Sequence, residues 1–80
     1  MLLMKHSALI EEAKARRNLP ARALRRAIRE EAGMSQARCA RELEVARATF
    51  SRWESGDRRP RGEHLLAYAE LLGALQEISR

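Results

Sequence analysis

The sequence predicts an all-α domain of five to six short helices. Three observations carry that expectation. Ala, Leu, Arg and Glu, all strong helix formers, dominate the composition. β-Branched residues are few (Ile10, Ile28, Val45, Thr49, Ile78) and no alternating strand pattern occurs. Pro and Gly fall at intervals that cut the chain into helix-length pieces.

Taken in order, residues 7–17 read as a first helix, with Ser7 as its cap, Glu11 and Glu12 toward its start, and Lys14, Arg16 and Arg17 toward its end, as the helix dipole favours. Its apolar stripe, Leu9, Ile10 and Ala13, is narrow. Together with Met1, Leu2, Leu3 and Met4 it calls for burial on the rest of the domain or on a partner chain. Asn18-Leu19-Pro20 breaks the chain, and a second helix over 20–32 places Leu24, Ile28 and Ala32 on one face. Gly33 stops it. Ser35 caps a third helix over 35–43, with Cys39, Ala40 and Leu43 as its apolar face. A fourth helix over 46–55 carries Phe50 and Trp53 three apart and ends at Gly56. Residues 57–62 form a basic loop. A fifth helix over 62–72, striped by Leu65, Leu66, Ala69 and Leu72, stops at Gly73, and 75–78 adds a closing turn. These readings give an N-terminal helical extension, 1–19, ahead of one unit, 20–80.

With 80 residues the chain makes a single domain with a modest core. Its one cysteine, Cys39, cannot close an intramolecular disulfide, and with two histidines it cannot complete a four-ligand zinc site, so neither a metal nor a cofactor is expected. No apolar run approaches the roughly 20 residues that span a bilayer, and Met1 to Met4 is too short for a signal core, so neither a membrane span nor a targeting segment is expected. The net charge is +5, and fourteen of the sixteen cations are Arg, whose flat forked donor suits phosphates and guanine edges. The balance points to a polyanionic partner such as nucleic acid, or else to a solvated, Arg-rich surface. We find no nucleophile–base pair, which argues against an enzyme.

The decisive stretch is 34–56, MSQARCARELEVARATFSRWESG. Two short helices flank a turn of three to four residues at Glu44-Val45. The small Ala40 admits the second helix closely, and Leu43, Val45 and Phe50 fill the angle between them. That spacing is helix-turn-helix spacing. The residues Leu24-Arg25, Arg29, Gly33-Met34-Ser35-Gln36, Ala40, Leu43, Val45, Phe50-Ser51-Arg52-Trp53-Glu54, Gly56 and Pro60 resemble the lambda repressor/Cro-like (XRE) helix-turn-helix family. The resemblance spans about 24–75. It departs from the family pattern at Glu44, where the turn usually has Gly, and at Ala46, where a Ser or Thr usually caps the second motif helix.

The resemblance implies a lambda-repressor-like DNA-binding fold whose second motif helix lies in the major groove. Arg47, Ala48, Ser51 and Arg52 are then the base-contacting positions: Arg47 on guanine, Ala48 on a thymine methyl, Arg52 on a neighbouring base or a phosphate. Gln36, Arg38, Thr49, Ser55, Arg58, Arg59 and Arg61 are phosphate candidates, although Ser35 is read as a cap and a basic loop is often merely solvated. The resemblance makes Arg29 and Glu54 a structural ion pair and Trp53 a core residue. The expected protein is a sequence-specific transcriptional regulator of the Cro or repressor kind, cytoplasmic and nucleoid-associated. Its partner is double-stranded DNA, bound as a homodimer on a two-fold operator, with no small-molecule ligand. Alternatives left open are an architectural or recombination accessory factor, an antitoxin that also grips a protein, and a protein-interaction module that has lost DNA binding. For residues 1–19, a third reading beside packing on the domain or on a partner chain lays Lys14, Arg16 and Arg17 on DNA.

Overall fold

Four interruptions divide the chain into five α-helices: α1 (Leu2–Asn18), α2 (Arg22–Glu31), α3 (Gln36–Glu42), α4 (Arg47–Ser55) and α5 (Gly62–Ile78). The computed structural model describes residues 2–79, with side chains from Ser7 onward, and no strand occurs among them. The side chains of Met1, Leu2, Leu3 and Met4, for which burial was expected, lie outside the described set. No helix among the described residues is long and apolar enough to cross a membrane.

The ends of α2 and α3 close by the same local device. In each, the residue after the C-cap turns left-handed and two backbone bonds fold back onto the last turn. For α2 this residue is Gly33 (φ 73°), with Gly33 N–H donating to the Glu30 carbonyl at 3.0 Å and Met34 N–H to the Arg29 carbonyl at 3.2 Å. For α3 it is Glu44 (φ 56°), with its N–H on the Arg41 carbonyl at 3.1 Å and Val45 N–H on the Ala40 carbonyl at 2.9 Å. Glu44 is the one non-glycine residue in this backbone region among those described, at a cost of roughly 1–2 kcal/mol. The bond from Val45 to Ala40 also presses the C-terminal apolar residue of the turn onto the buried Ala40. The α3–turn–α4 angle follows from this closure.

The core lies where α2, α4 and α5 meet. Phe50, Leu65, Tyr68 and Leu72 are fully buried, joined by Trp53, Cys39, Ala40, Ile28 and Leu75. The rings interlock: Tyr68 meets Phe50 edge-on with centroids 5.5 Å apart and Trp53 at 5.4 Å. Burial pushes the Cys39 thiol up, so it sits in the core as a neutral apolar group. α1 packs along α5, with Ala15 buried and Leu19 against the core.

Five expectations differ from the structure, one of them the stripe residue Leu66, which is exposed. α1 begins at Leu2, ahead of Ser7, so Ser7 does not cap it. Leu9 and Ile10 do not pack on the rest of the domain, being 66% and 51% exposed in the single chain, because α1 turns Glu12 and Ala15 inward, with Leu19 just past its end. Leu24 is 54% exposed. The buried face of α2 is Arg25, Ile28, Arg29 and Ala32, and the aliphatic stems of two arginines rotate that face away from Leu24. Gly73 does not stop α5, which runs unbroken to Ile78: buried Leu72 and Leu75 on either side hold it helical against the roughly 1 kcal/mol that a mid-helix glycine costs.

Candidate nucleic-acid interface

α4 is divided lengthwise. Phe50, Trp53 and Glu54 are buried, while Arg47, Ala48 and Arg52 are exposed and Ser51 half-exposed. Spacings of three and four residues put Ala48, Ser51, Arg52 and Ser55 on one strip and Arg47 beside it. The strip carries two guanidiniums, a methyl, two hydroxyls and no carboxylate. Ala46 caps the helix by backbone conformation alone and makes no side-chain bond, so the first N–H groups of α4 stay open to water.

The polar network behind α4 fixes its tilt. Arg29 and Glu54 are 7% and 5% exposed and pair in a two-pronged bridge, Nε donating to Oε2 at 2.6 Å and Nη2 to Oε1 at 3.0 Å. Arg29 Nη1 also donates to the Met34 carbonyl at 2.7 Å, and Gln36 Nε2 donates to Glu54 Oε1 at 2.9 Å. One carboxylate therefore ties α2, the start of α3 and the end of α4 together. Burial pushes the Glu54 carboxyl up, but the bonds from Arg29 and Gln36 outweigh burial and hold it below the usual carboxylate range. The bond to Glu54 raises Arg29 further, so both groups stay charged.

At the far end, Arg25 Nη1 donates to the Trp53 carbonyl at 3.0 Å while its Nε holds the Pro20 carbonyl at 2.8 Å. Gly56 ends α4 at φ 82°. Glycine suits that turn, because any other residue would take a strained left-handed backbone and its Cβ would displace the Arg22 side chain.

Two surface hollows gather the remaining candidates. The first, at the start of α3, is lined by Arg26, Arg29, Ser35, Gln36, Ala37 and Arg47. It brings Gln36 and Arg47 together, although one amide hydrogen of Gln36 is already spent on Glu54. Ser35 accepts the Arg38 N–H at 3.0 Å as the α3 cap. The second hollow, past the end of α4, holds Thr49, Trp53, Arg58, Arg59, Arg61 and His64 around Pro60. Arg38 is exposed and lines neither. Ser55 is exposed at the helix end, where its hydroxyl donates to the Arg52 carbonyl at 3.2 Å and accepts the Asp57 N–H at 3.3 Å.

Residue-by-residue reading of the sequence passed over Arg26 and took His64 only as a surface residue, which it is. Arg26 stands three residues before Arg29 on an exposed turn of α2, a spacing that signals a shared side of the helix. His64 sits on the first turn of α5 with its ring 5.5 Å from that of Trp53, and no sequence signal marks it.

A protein-family comparison matches the helix-turn-helix family over residues 26–77, which is 52 of the 80 residues. No curated protein and no solved structure matches the chain. The matched span contains α3, its left-handed turn, α4 and most of α2 and α5, so fold, motif geometry and comparison agree: the chain belongs to the lambda repressor/Cro-like (XRE) family of DNA-binding helix-turn-helix regulators.

Proposed function

We propose that this protein is a sequence-specific transcriptional repressor of the Cro type that binds duplex DNA as a homodimer and blocks the transcription machinery from the site it occupies. The reading rests on the division of α4: a carboxylate-free outer strip of Arg47, Ala48, Ser51 and Arg52, backed by a face fully committed to the core. In this arrangement α4 enters the major groove. Arg47 reads guanine O6 and N7, Ala48 meets a thymine methyl, Ser51 reaches either edge, and Arg52 reads the next base or its phosphate. Gln36, Arg38, Thr49, Arg58, Arg59 and Arg61 contact phosphates, set the register and supply the salt-dependent share of the affinity. The Arg29–Glu54 bridge supports this from behind, holding the strip at one angle to the α3 start, where Gln36 sits.

A homodimer places two copies of α4 on half-sites one helical turn, roughly 34 Å, apart. Selection of bound duplexes from a randomised pool, followed by sequencing, tests the proposal. A single enriched motif with two-fold symmetry and that spacing is the expected result. Binding without enrichment would remove sequence-specific repression and leave the architectural alternative.

A further inference from the structure

Residues 1–25 precede the matched span, yet two contacts tie them to the basic loop 57–61. At the start of the loop, the Arg22 side chain lies against Gly56: a Cβ on that glycine would come within 2.8 Å of Arg22 Nη1 and 3.0 Å of its Nε. At its end, the Glu12 carboxylate accepts the Gly62 N–H at 3.4 Å while pairing with the Arg16 guanidinium at 3.7 Å. Arg58, Arg59 and Arg61 lie between these two points, all exposed. Arg22 is exposed too and makes no ion pair among the described residues. The carboxylates near the loop are Asp57 within it, Glu63 on the first turn of α5, and Glu12, which is already shared between Arg16 and Gly62.

We infer that the DNA-backbone contact extends beyond the helix-turn-helix, across loop 57–61 and onto Arg22, with Arg16 held in reserve by Glu12. The inference rests on the reading that the loop faces phosphates, and it names the segment before the matched span as part of the binding surface. Arg22 also sits where it would offset the negative end of the α4 dipole. That role changes stability and leaves the salt dependence of binding untouched, so the two are separable.

The test is the salt dependence of binding of the full chain to a labelled random-sequence duplex, read by fluorescence anisotropy. Each phosphate contact contributes about 0.9 to the slope of log affinity against log salt. Arg22→Gln should lower the slope by about that amount, and Arg22→Lys should restore it. Glu12→Gln should free Arg16 and steepen the slope. Lys14→Gln, on the opposite side of α1 from Glu12 and paired with Glu11, removes the same charge and should leave the slope as it was. Equal slopes for the Arg22→Gln and Lys14→Gln variants would overturn the inference, and so would an Arg22→Gln slope equal to wild type. Absence of duplex binding by the wild type at low salt would overturn the DNA reading itself and this inference with it, whereas wild-type binding with an unmoved Arg22→Gln slope overturns the inference alone.

Discussion

Replacing Glu54 by alanine strips the buried Arg29 guanidinium of its carboxylate. The bridge is two-pronged at 2.6 and 3.0 Å, and both side chains are less than a tenth exposed. Breaking a buried pair from one side costs about 3–5 kcal/mol, because a charged group is left uncompensated. An 80-residue domain has in total about 4–12 kcal/mol. The substitution therefore removes a large share of the stability, and near the lower bound it unfolds the chain. Urea unfolding followed by the fluorescence of Trp53, the single tryptophan, and by far-UV circular dichroism measures the loss. Replacing both partners together, Arg29→Met with Glu54→Leu, should recover most of it, since no lone charge remains buried.

Acid should act in the same direction. The folded-state value of Glu54 lies below its unfolded value of about 4.3, so its stabilisation is complete above that pH and is lost as pH falls through the folded value. Glu54→Gln should lack this acid-sensitive step. A loss of less than about 1 kcal/mol in Glu54→Ala would place the pair in the class of screened surface bridges and refute the reasoning.

Further predictions rest on single features. Glu44→Gly relieves the left-handed strain in the turn. After the entropy glycine adds to the unfolded chain, it should gain about 0.5–1 kcal/mol, read as a higher urea midpoint at unchanged slope. Gly73→Ala should stabilise by roughly 0.5–1 kcal/mol, because the position is helical and open space surrounds the added methyl; a thermal midpoint that falls would contradict this. Burial pushes the Tyr68 phenol up to about 12, above its unfolded value of about 10. Its stabilisation is thus whole below pH 10 and lost between the two values, about 2–3 kcal/mol in all. Tyrosinate absorbance, which reports this one tyrosine, should therefore rise together with unfolding. Tyr68→Phe should abolish that alkaline step at little cost, since the hydroxyl has no hydrogen-bond partner among the described residues.

The parts of the fold that were legible in the sequence are those set by local chemistry. Gly33, Ser35 and Gly56 mark helix ends because a left-handed backbone or a capping oxygen is needed at one position, and the residue there shows it. Glu44 shows a different route: the spacing of its neighbours puts it in the left-handed slot although its side chain disfavours it. What was not legible depends on contacts distant in sequence. Leu24 looked buried because an apolar count ignores the stems of Arg25 and Arg29, whose head groups find partners 28 and 25 residues away. Gly73 looked like a stop because the force that carries α5 past it comes from the packing of Leu72 and Leu75. At the interface, the outer strip of α4 came from the family resemblance, and helical spacing puts its members on one side. The commitment of the Ser55 hydroxyl to its own helix end, and the approach of Arg22 and Glu12 to the loop, needed the three-dimensional arrangement.

The most direct test of base reading by α4 compares wild type with Arg47→Ala on the motif enriched from a random pool and on every single-base variant of it. The account predicts that the substitution costs about 1–3 kcal/mol on the motif and erases discrimination at one guanine, with preferences elsewhere retained. Uniform weakening across all variants, with every base preference intact and a shallower salt slope, would make Arg47 a phosphate contact and contradict the claim.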